Sequence, residues 1–359
     1  MRIATLLLLI IAASLIAFGQ ERPIAQTEYV QMLYGVERNT STAQEVVDAL
    51  RRRGIEFTLT DGLRSLTRSK SRNNAELRAA LEEAERRRRS PQAAIPTPSA
   101  AEARDIIERT RSNTLEAVAE MPDFVVKQQI QRSAAYAGTG NYRNLDRLLV
   151  AVSYRSSGQE EYRLLTVNGI AQNSPESKAS YEEAGGSSST GEFVTMLATI
   201  FKRENDATFE PVFTDTIRGR RAMMFDFEVA RDKALQRVTS GSKTYADTAI
   251  TGMKGRLWID LELHRVLRVE SYATELPGDF PITSVKRTID YDWATISEES
   301  YLLPSLSDVR LTFRDSSREL ESRNVIRFRD YQKYGTEVII LEADDEPIEE
   351  PAVDNQPQP

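Results

Sequence analysis

Acidic residues recur two positions apart in three segments where apolar and polar residues alternate. The pairs are Asp226/Glu228, Asp260/Glu262 and Asp290/Asp292. On a strand, residues two apart share a face, and paired carboxylates of this kind can hydrolyse glycosides or bind a metal ion. The alternate positions are mostly apolar, which is typical of a sheet with one solvated face. We therefore predict that these acids lie on the wet side of a sheet and that the chain is not an enzyme.

Other reactive groups are scarce. The chain has no cysteine, and His264 is its single histidine. This composition excludes disulfide scaffolds, iron-sulfur clusters, thiol catalysis and multi-histidine metal sites. His264 follows no nucleophile-elbow motif and falls in a predicted turn between two strands. Gly186 to Gly191 has the spacing of a phosphate-binding loop, but Glu192 and Phe193 follow where that loop requires Lys and Ser or Thr. The sequence therefore predicts no cofactor, no metal site and no catalytic residue.

One apolar stripe is the candidate ligand-binding site. Its residues are Phe193, Met196, Leu197, Ile200 and Phe201. They recur at helical spacing after Ser189 and Glu192, which form a capping-box pattern. Such a stripe is either ordinary core beneath a sheet or the wall of a cavity for an apolar ligand, and both interpretations stay open at this point.

The elements that would position this stripe are strands. Apolar residues alternate with polar ones over residues 124–130, 148–154, 162–166, 223–229, 257–259, 267–269, 289–293, 309–313 and 326–328. This pattern predicts an antiparallel sheet, and residues 100–120 predict an amphipathic helix before it. Because open sheets rarely stay flat past about ten strands, we predict an α+β fold over residues 100–342 in which a curved half-barrel wraps around helices.

A separate helical module is predicted at residues 27–89. Thr42 has the position of an N-cap, and Gly54 ends the same helix after three arginines that suit a helix C-terminus. The arginines at 86–89 also suit a helix C-terminus, so we do not predict a basic binding patch there. Residues 90–99 contain three prolines among alanines and serines, which predicts a semi-rigid linker and a domain boundary.

The first residues of the chain predict export. Residues 1–19 combine a basic start, a short apolar run and small residues before Gln20, which is typical of a signal peptide cut near Gly19/Gln20. An uncleaved N-terminal anchor is the alternative. Residues 343–359 predict an acidic disordered tail. The formal net charge of −7 and a sequence pI of about 5.2 argue against nucleic-acid binding. We predict a periplasmic or secreted protein with at most transient membrane contact.

Three stretches carry family resemblances. Residues 252–270, GMKGRLWIDLELHRVLRVE, resemble the Gly-x-Leu-Trp-Ile-Asp hairpin of the LolA/LolB-like superfamily of outer-membrane lipoprotein carriers. Residues 121–335 are similar to a group of uncharacterised acidobacterial exported proteins, and the helical module resembles one found in such proteins. The sequence departs from the carrier pattern at Leu263-His264, where relatives often have a Thr-Gly turn. The resemblance implies a half-barrel whose concave cavity carries hydrophobic groups.

Two functions follow as expectations. The first is an exported, non-enzymatic protein that binds a lipid, an acyl chain or a lipoprotein tail inside the half-barrel. The alternative is a cell-envelope interaction or sensor protein with a filled core, whose partner is another protein. A hydrolase built on one of the carboxylate pairs ranks third, because it requires a cleft that joins acids from different strands.

Overall fold

The computed structural model describes residues 22–89, 98–172, 193, 195–242, 245–315 and 318–334. Within these ranges the helices are α1 (Gln26–Glu37), α2 (Ala43–Arg53), α3 (Asp61–Lys70), α4 (Ala75–Arg89), α5 (Ala100–Ala119), α6 (Thr195–Phe201) and α7 (Arg231–Ala234). The predicted signal peptide and acidic tail, most of the linker, the Gly186–Gly191 loop and the capping box before α6 lie outside the described residues. None of the described helices is long and apolar enough to cross a membrane.

The strands form one antiparallel sheet. They are β1 (Phe124–Tyr136), β2 (Arg143–Tyr154), β3 (Glu160–Val167), β4 (Ile170–Ala171), β5 (Thr208–Ile217), β6 (Arg220–Val229), β7 (Gln236–Ser242), β8 (Tyr245–Asp260), β9 (Val266–Thr274), β10 (Ile282–Ile296), β11 (Glu299–Asp315) and β12 (Arg318–Lys333). The order is β4-β3-β2-β1-β12-β11-β10-β9-β8-β6-β5, with β7 paired to β8. The sheet is not closed, and the predicted α+β class is confirmed.

Pairing between the first and last strands brings the two halves of the sheet together. Ile130 of β1 lies opposite Ile326 of β12, and Leu148 of β2 lies opposite Ile130 on the other side. These residues are buried on one face and pack with Phe124 and Phe328 in a common cluster. One face of the sheet is therefore the inner, apolar face that the alternating pattern predicts.

Helices α5 and α6 cover the inner face of β6, β8, β9 and β10. Ser99 caps α5 in a capping box with Glu102, and Ile106 and Ile107 of this helix pack in the main apolar cluster. The side chain of Asn113 donates to the carbonyl of His264 at 3.3 Å, which ties α5 to the turn between β8 and β9. His264 has φ +48 in that turn, so its predicted place between two strands is confirmed.

The helical module has its own apolar cluster, built around Leu33, Leu50, Leu77 and Leu81. Thr42 and Glu45 form the capping box of α2, and Gly54 ends the helix with φ +65, which favours glycine. Arg87 donates to the carbonyls of Leu50 and Arg51 at 3.0 and 2.9 Å, so a cation of α4 binds the C-terminal carbonyls of α2.

This module packs on the outer face of the sheet. Arg256 of β8 forms two hydrogen bonds to Asp226 of β6, at 2.5 and 2.9 Å, and lies 4.0 Å from Asp48 of α2. Arg51 of α2 approaches Glu270 of β9 at 3.9 Å. Charged side chains on the outer face therefore join the module to the sheet.

The prediction that the paired acids lie on a solvated face is wrong for two of them. Asp260 is 1% exposed and Asp290 is 6% exposed. Asp260 pairs with Arg220, while Asp290 accepts from Arg268 at 2.6 and 3.0 Å and from Arg218 at 3.2 Å. Arginines from neighbouring strands and turns cover these carboxylates, an arrangement that alternation within one strand does not reveal.

Candidate functional site

The predicted ligand-binding stripe lies in the core. Ile200 and Phe201 are fully buried, Phe193 is 3% exposed and Met196 is 4% exposed, while Leu197 is partly buried. Phe201 stacks on Phe209 of β5 with ring centroids 5.7 Å apart. These side chains pack against the sheet as its ordinary core does. Their role in ligand binding stays a prediction.

Phe193 packs apart from the other members of the stripe. Its ring meets Phe124 of β1 and Phe328 of β12 edge-on, with centroids 5.4 and 5.5 Å apart. It belongs to the cluster beneath β1, β2 and β12, whereas α6 belongs to the cluster beneath β6, β8 and β9. The stripe thus connects the two halves of the inner core.

A cleft opens between β11 and β12, and we define it by residues 299–305 and 328–334. The ladder between these strands runs from Asp315↔Arg318 and ends at Leu306↔Arg327. Residues 299–305 lie outside the described β11/β12 ladder, and the Pro304 carbonyl accepts from the side-chain hydroxyl of Tyr331 in β12. Pro304 has no backbone N–H to offer a ladder, which gives a physical reason for the strands to separate here.

Irregular pairing on both sides accompanies this separation. The register of β10 with β11 shifts between Asp290 and Tyr291, so that Ser305 is an extra residue in β11. The register of β1 with β12 shifts between Val125 and Lys127, and Asp330 adopts φ +56 there. Bulges bend a strand and end its regular pairing, and they are frequent next to binding sites. Two bulges and one proline therefore coincide at the cleft.

Two shallow, open pockets border the cleft and extend to β10 and to the start of β1. The first, of about 270 Å³, is lined by Asp292, Trp293, Ala294, Thr295, Leu303, Pro304, Ser305, Phe328, Arg329, Asp330 and Tyr331. The second, of about 420 Å³, is lined by Pro122, Asp123, Ile296, Ser297, Glu299, Tyr301, Lys333 and Tyr334. Trp293 is 49% exposed at the rim, and the Tyr331 hydroxyl donates to the Pro304 carbonyl at 2.7 Å across the cleft. The cleft combines aromatic walls with strand backbone.

Charged side chains surround the aromatic walls of the cleft. Lys127, only 5% exposed, pairs with Asp330 at 3.0 Å. The Ser156 backbone N–H and the Arg155 guanidinium both donate to Asp123, and they hold the pKa of that carboxyl below its usual range. The Tyr301 hydroxyl donates to Glu299 at 2.6 Å, and this hydrogen bond raises the pKa of Tyr301. Acidic and basic side chains are thus both present, and most already have protein partners.

The cleft presents strand backbone and aromatic side chains. Among the described residues, no group of three or more His, Asp or Glu side chains is placed to hold a metal ion. His264 lies in the turn between β8 and β9 and lines neither pocket. What the cleft offers is the backbone of residues 299–303 outside the β11/β12 ladder, beside aromatic side chains, which suits an extended segment with apolar side chains.

No family model matches the chain, and no curated protein does. Among solved structures, a DUF1329 family protein from Desulfovibrio piger shares 9% identity, covers 67% of this chain and 97% of its own, and has a TM-score of 0.27. The MucA/MucB complex of Pseudomonas aeruginosa shares 11% identity, covers 64% of this chain and 94% of its own, and has a TM-score of 0.16. MucB bound to the periplasmic part of MucA shares 9% identity, covers 63% of this chain and 94% of its own, and has a TM-score of 0.17. The resemblance to lipoprotein carriers and acidobacterial proteins remains an inference from the sequence.

Sequence reasoning did not find the cleft. The available signal was Pro304, which interrupts the alternating run that becomes β11 and which a central strand does not accept. The half-exposed Trp293 gave no such signal, because alternation assigns it to the apolar face together with Ile289 and Tyr291. Finding the site required knowing that β12 lies beside β11.

Proposed function

We propose that this protein is an exported, non-catalytic binding protein that takes an extended apolar peptide segment of an envelope protein at the β11/β12 cleft. The periplasm or the exterior is the proposed location, as the sequence of residues 1–19 indicates. This is the alternative with a filled core, and we assign it to this surface as part of the proposal. The separation of β11 from β12 at Pro304 is the observation that carries it.

Two further features support a peptide occupant. The concave face near α6 is packed with side chains, so the site best suited to a ligand is the cleft. An added strand would gain backbone hydrogen bonds from residues 299–303, and its alternate side chains would enter pockets of about 270 and 420 Å³. Mixed charge around the rim suits a peptide better than a purely hydrocarbon chain.

Site-specific photo-crosslinking tests this proposal. A benzophenone amino acid at Tyr301, inside the larger pocket, should capture a defined envelope protein in cells, with the crosslink mapped to a short apolar segment by mass spectrometry. The same group at Leu235, which is 64% exposed and far from the cleft, is the matched control. Capture of the same proteins at both positions, or at neither, would contradict the proposal.

A hydrophobic small ligand is the second candidate, and one observation favours it. Phe328 and Leu303 belong to the inner apolar cluster and also line the smaller pocket, so an apolar group in that pocket would contact the core directly. Native mass spectrometry of the protein purified from its host without detergent separates the two functions. A stoichiometric acyl-containing adduct would favour a carrier, whereas a clean protein mass with no uptake of added lipid would exclude it.

A further inference from the structure

Arg329 of β12 is a half-buried cation in the wall of the cleft. It lines the smaller pocket, and its guanidinium carries five N–H donors. Among the residues that the structure describes, none accepts from this guanidinium or forms an ion pair with it. A cation that loses part of its hydration without gaining a partner raises the free energy of the folded state. Arg329 is therefore available to pair with a group of an occupant.

A second cation lies directly across the β1/β12 ladder from Arg329. It is Lys127 of β1, whose side chain is 5% exposed. Like charges directly opposite each other destabilise a sheet. Asp330 pairs with Lys127 at 3.0 Å, so this carboxylate is matched to one of the two cations. The three side chains together leave an excess positive charge at the wall of the cleft, which a carboxylate of an occupant would neutralise.

The smaller pocket contains one further acid, Asp292, on the wall formed by β10. Its carboxylate accepts from the backbone N–H of Trp293 at 2.8 Å, and the residue is exposed to solvent. Water and salt screen an exposed charge more strongly than a half-buried one. Arg329 therefore has the larger influence on the charge that the pocket prefers.

The position of Arg329 next to Phe328 indicates where the carboxylate of an occupant must lie. Phe328 belongs to the inner apolar cluster together with Leu303, and Arg329 follows it on the opposite face of β12. Successive side chains of an added strand also alternate between two faces. An occupant that packs an apolar side chain against Phe328 and Leu303 therefore presents its next side chain on the face of Arg329.

We propose that Arg329 determines the specificity of the cleft by binding a carboxylate of the partner, whose segment alternates apolar residues with an acidic residue at this position. The inference rests on the proposed function, because it names the chemistry of the partner at the same site. Arginine and a carboxylate form two parallel hydrogen bonds of matched geometry. Trp293, 49% exposed, lines the same pocket, and tryptophan and arginine are the residue types that often dominate the binding energy of an interface.

A random linear peptide library displayed on phage and selected against the full chain tests this specificity. The unmodified chain should enrich alternating apolar residues with Asp or Glu at one position. Arg329→Gln should enrich the apolar pattern without the acid. The matched control Arg221→Gln, at an exposed position on β6, should keep both. Loss of the acid with both variants, or its retention with Arg329→Gln, would overturn the role of Arg329.

Anisotropy titrations with the most enriched sequence, synthesised with Glu, Gln or Lys at the acidic position, measure the preference. The unmodified chain should bind the Glu peptide at least about tenfold more tightly than the Gln peptide, whereas Arg329→Gln should bind the two within about threefold. Arg329→Glu should favour the Lys peptide, a reversal that a purely structural role of Arg329 does not produce. Equal affinity of the unmodified chain for the Glu and Gln peptides would contradict the inference.

Thermal melting separates binding from folding. Because Arg329 lies across from Lys127, Arg329→Gln should melt at the same temperature as the unmodified chain or above it. A melting temperature lower by more than about 4 °C would mean that the guanidinium already stabilises the free protein, and it would overturn the inference.

The selected sequences distinguish failure of this inference from failure of the proposed function. If the unmodified chain enriches alternating apolar residues with no acid at a fixed position, the cleft binds a peptide but Arg329 does not determine its specificity. If neither the unmodified chain nor Arg329→Gln enriches any sequence, the proposed function is wrong and this inference falls with it.

Discussion

Replacing Glu83 by glutamine should remove a pH-dependent loss of stability between about pH 4.5 and pH 7. Glu83 lies on α4 where the helical module meets the sheet, and its side chain is 15% exposed. Burial and the neighbouring carboxylate of Asp215 on β5 raise the pKa of Glu83 to about 7, against the opposing effect of Arg86 and Arg87. Trp258 of β8 donates to the same Asp215 at 3.1 Å.

The sign and the size follow from this raised pKa. A carboxyl that binds its proton more tightly in the folded state contributes stability below its unfolded pKa of 4.5, and this is lost as pH rises through 7. At 1.36 kcal/mol per pKa unit, the full loss is at most about 3 kcal/mol. Glutamine resembles the protonated acid, so Glu83→Gln should match the unmodified protein near pH 4.5 and exceed it by up to about 3 kcal/mol at pH 8.

Urea denaturation followed by circular dichroism at pH 4.5 to 8 measures this difference. Glu116→Gln, at an exposed position on α5, is the matched control and should leave the pH dependence unchanged. The reasoning would be refuted if the Glu83→Gln and unmodified curves ran parallel over this range. It would also be refuted if the control shifted by the same amount.

Three further substitutions and one control test the packing. Gly255→Ala should destabilise severely, because its Cβ would lie 1.9 Å from the Glu270 carbonyl oxygen, while Gly278→Ala has open space around it and should be nearly neutral by thermal melting. Phe201→Ala should lower the free energy of unfolding by about 3–5 kcal/mol in urea titrations, and a loss under 1 kcal/mol would refute its place in the core. Asp308→Ala should lower it by about 3–5 kcal/mol at pH 7, because the buried carboxylate lies 3.0 Å from Arg310 and 2.9 Å from Arg323. Burial opposes ionisation of Asp308, but the two arginines outweigh it and lower its pKa, so the unmodified protein should lose this contribution as pH falls below about 4.

Local patterns predicted the elements well where the physical cause is local. Thr42 caps α2 and Gly54 ends it because capping depends on a few adjacent residues. Alternation also identified the inner face, because a side-chain period of two is a property of a single strand.

The pairings between distant segments were beyond such patterns. The outer face of β8 and β9 was predicted to be wet, yet Arg256 and Glu270 face Asp48 and Arg51 of the helical module, which lie more than 200 residues earlier in the chain. The linker and the module are predicted as a separate unit. Nothing in the sequence of β8 or β9 indicates that the module will cover their charged residues. Burial of Asp260 and Asp290 depends on arginines brought in by a neighbouring strand and turn.

The sequence by itself determined which reactive side chains are present. It also determined the helical module, the strands and the apolar stripe of α6. These follow from residue types and from spacing along one element. Only the tertiary structure decided that the stripe is packed into the core and that β11 and β12 separate beyond Pro304. A cleft is a relation between two strands, and their pairing is set by the free energy of the whole sheet, so no single segment encodes it.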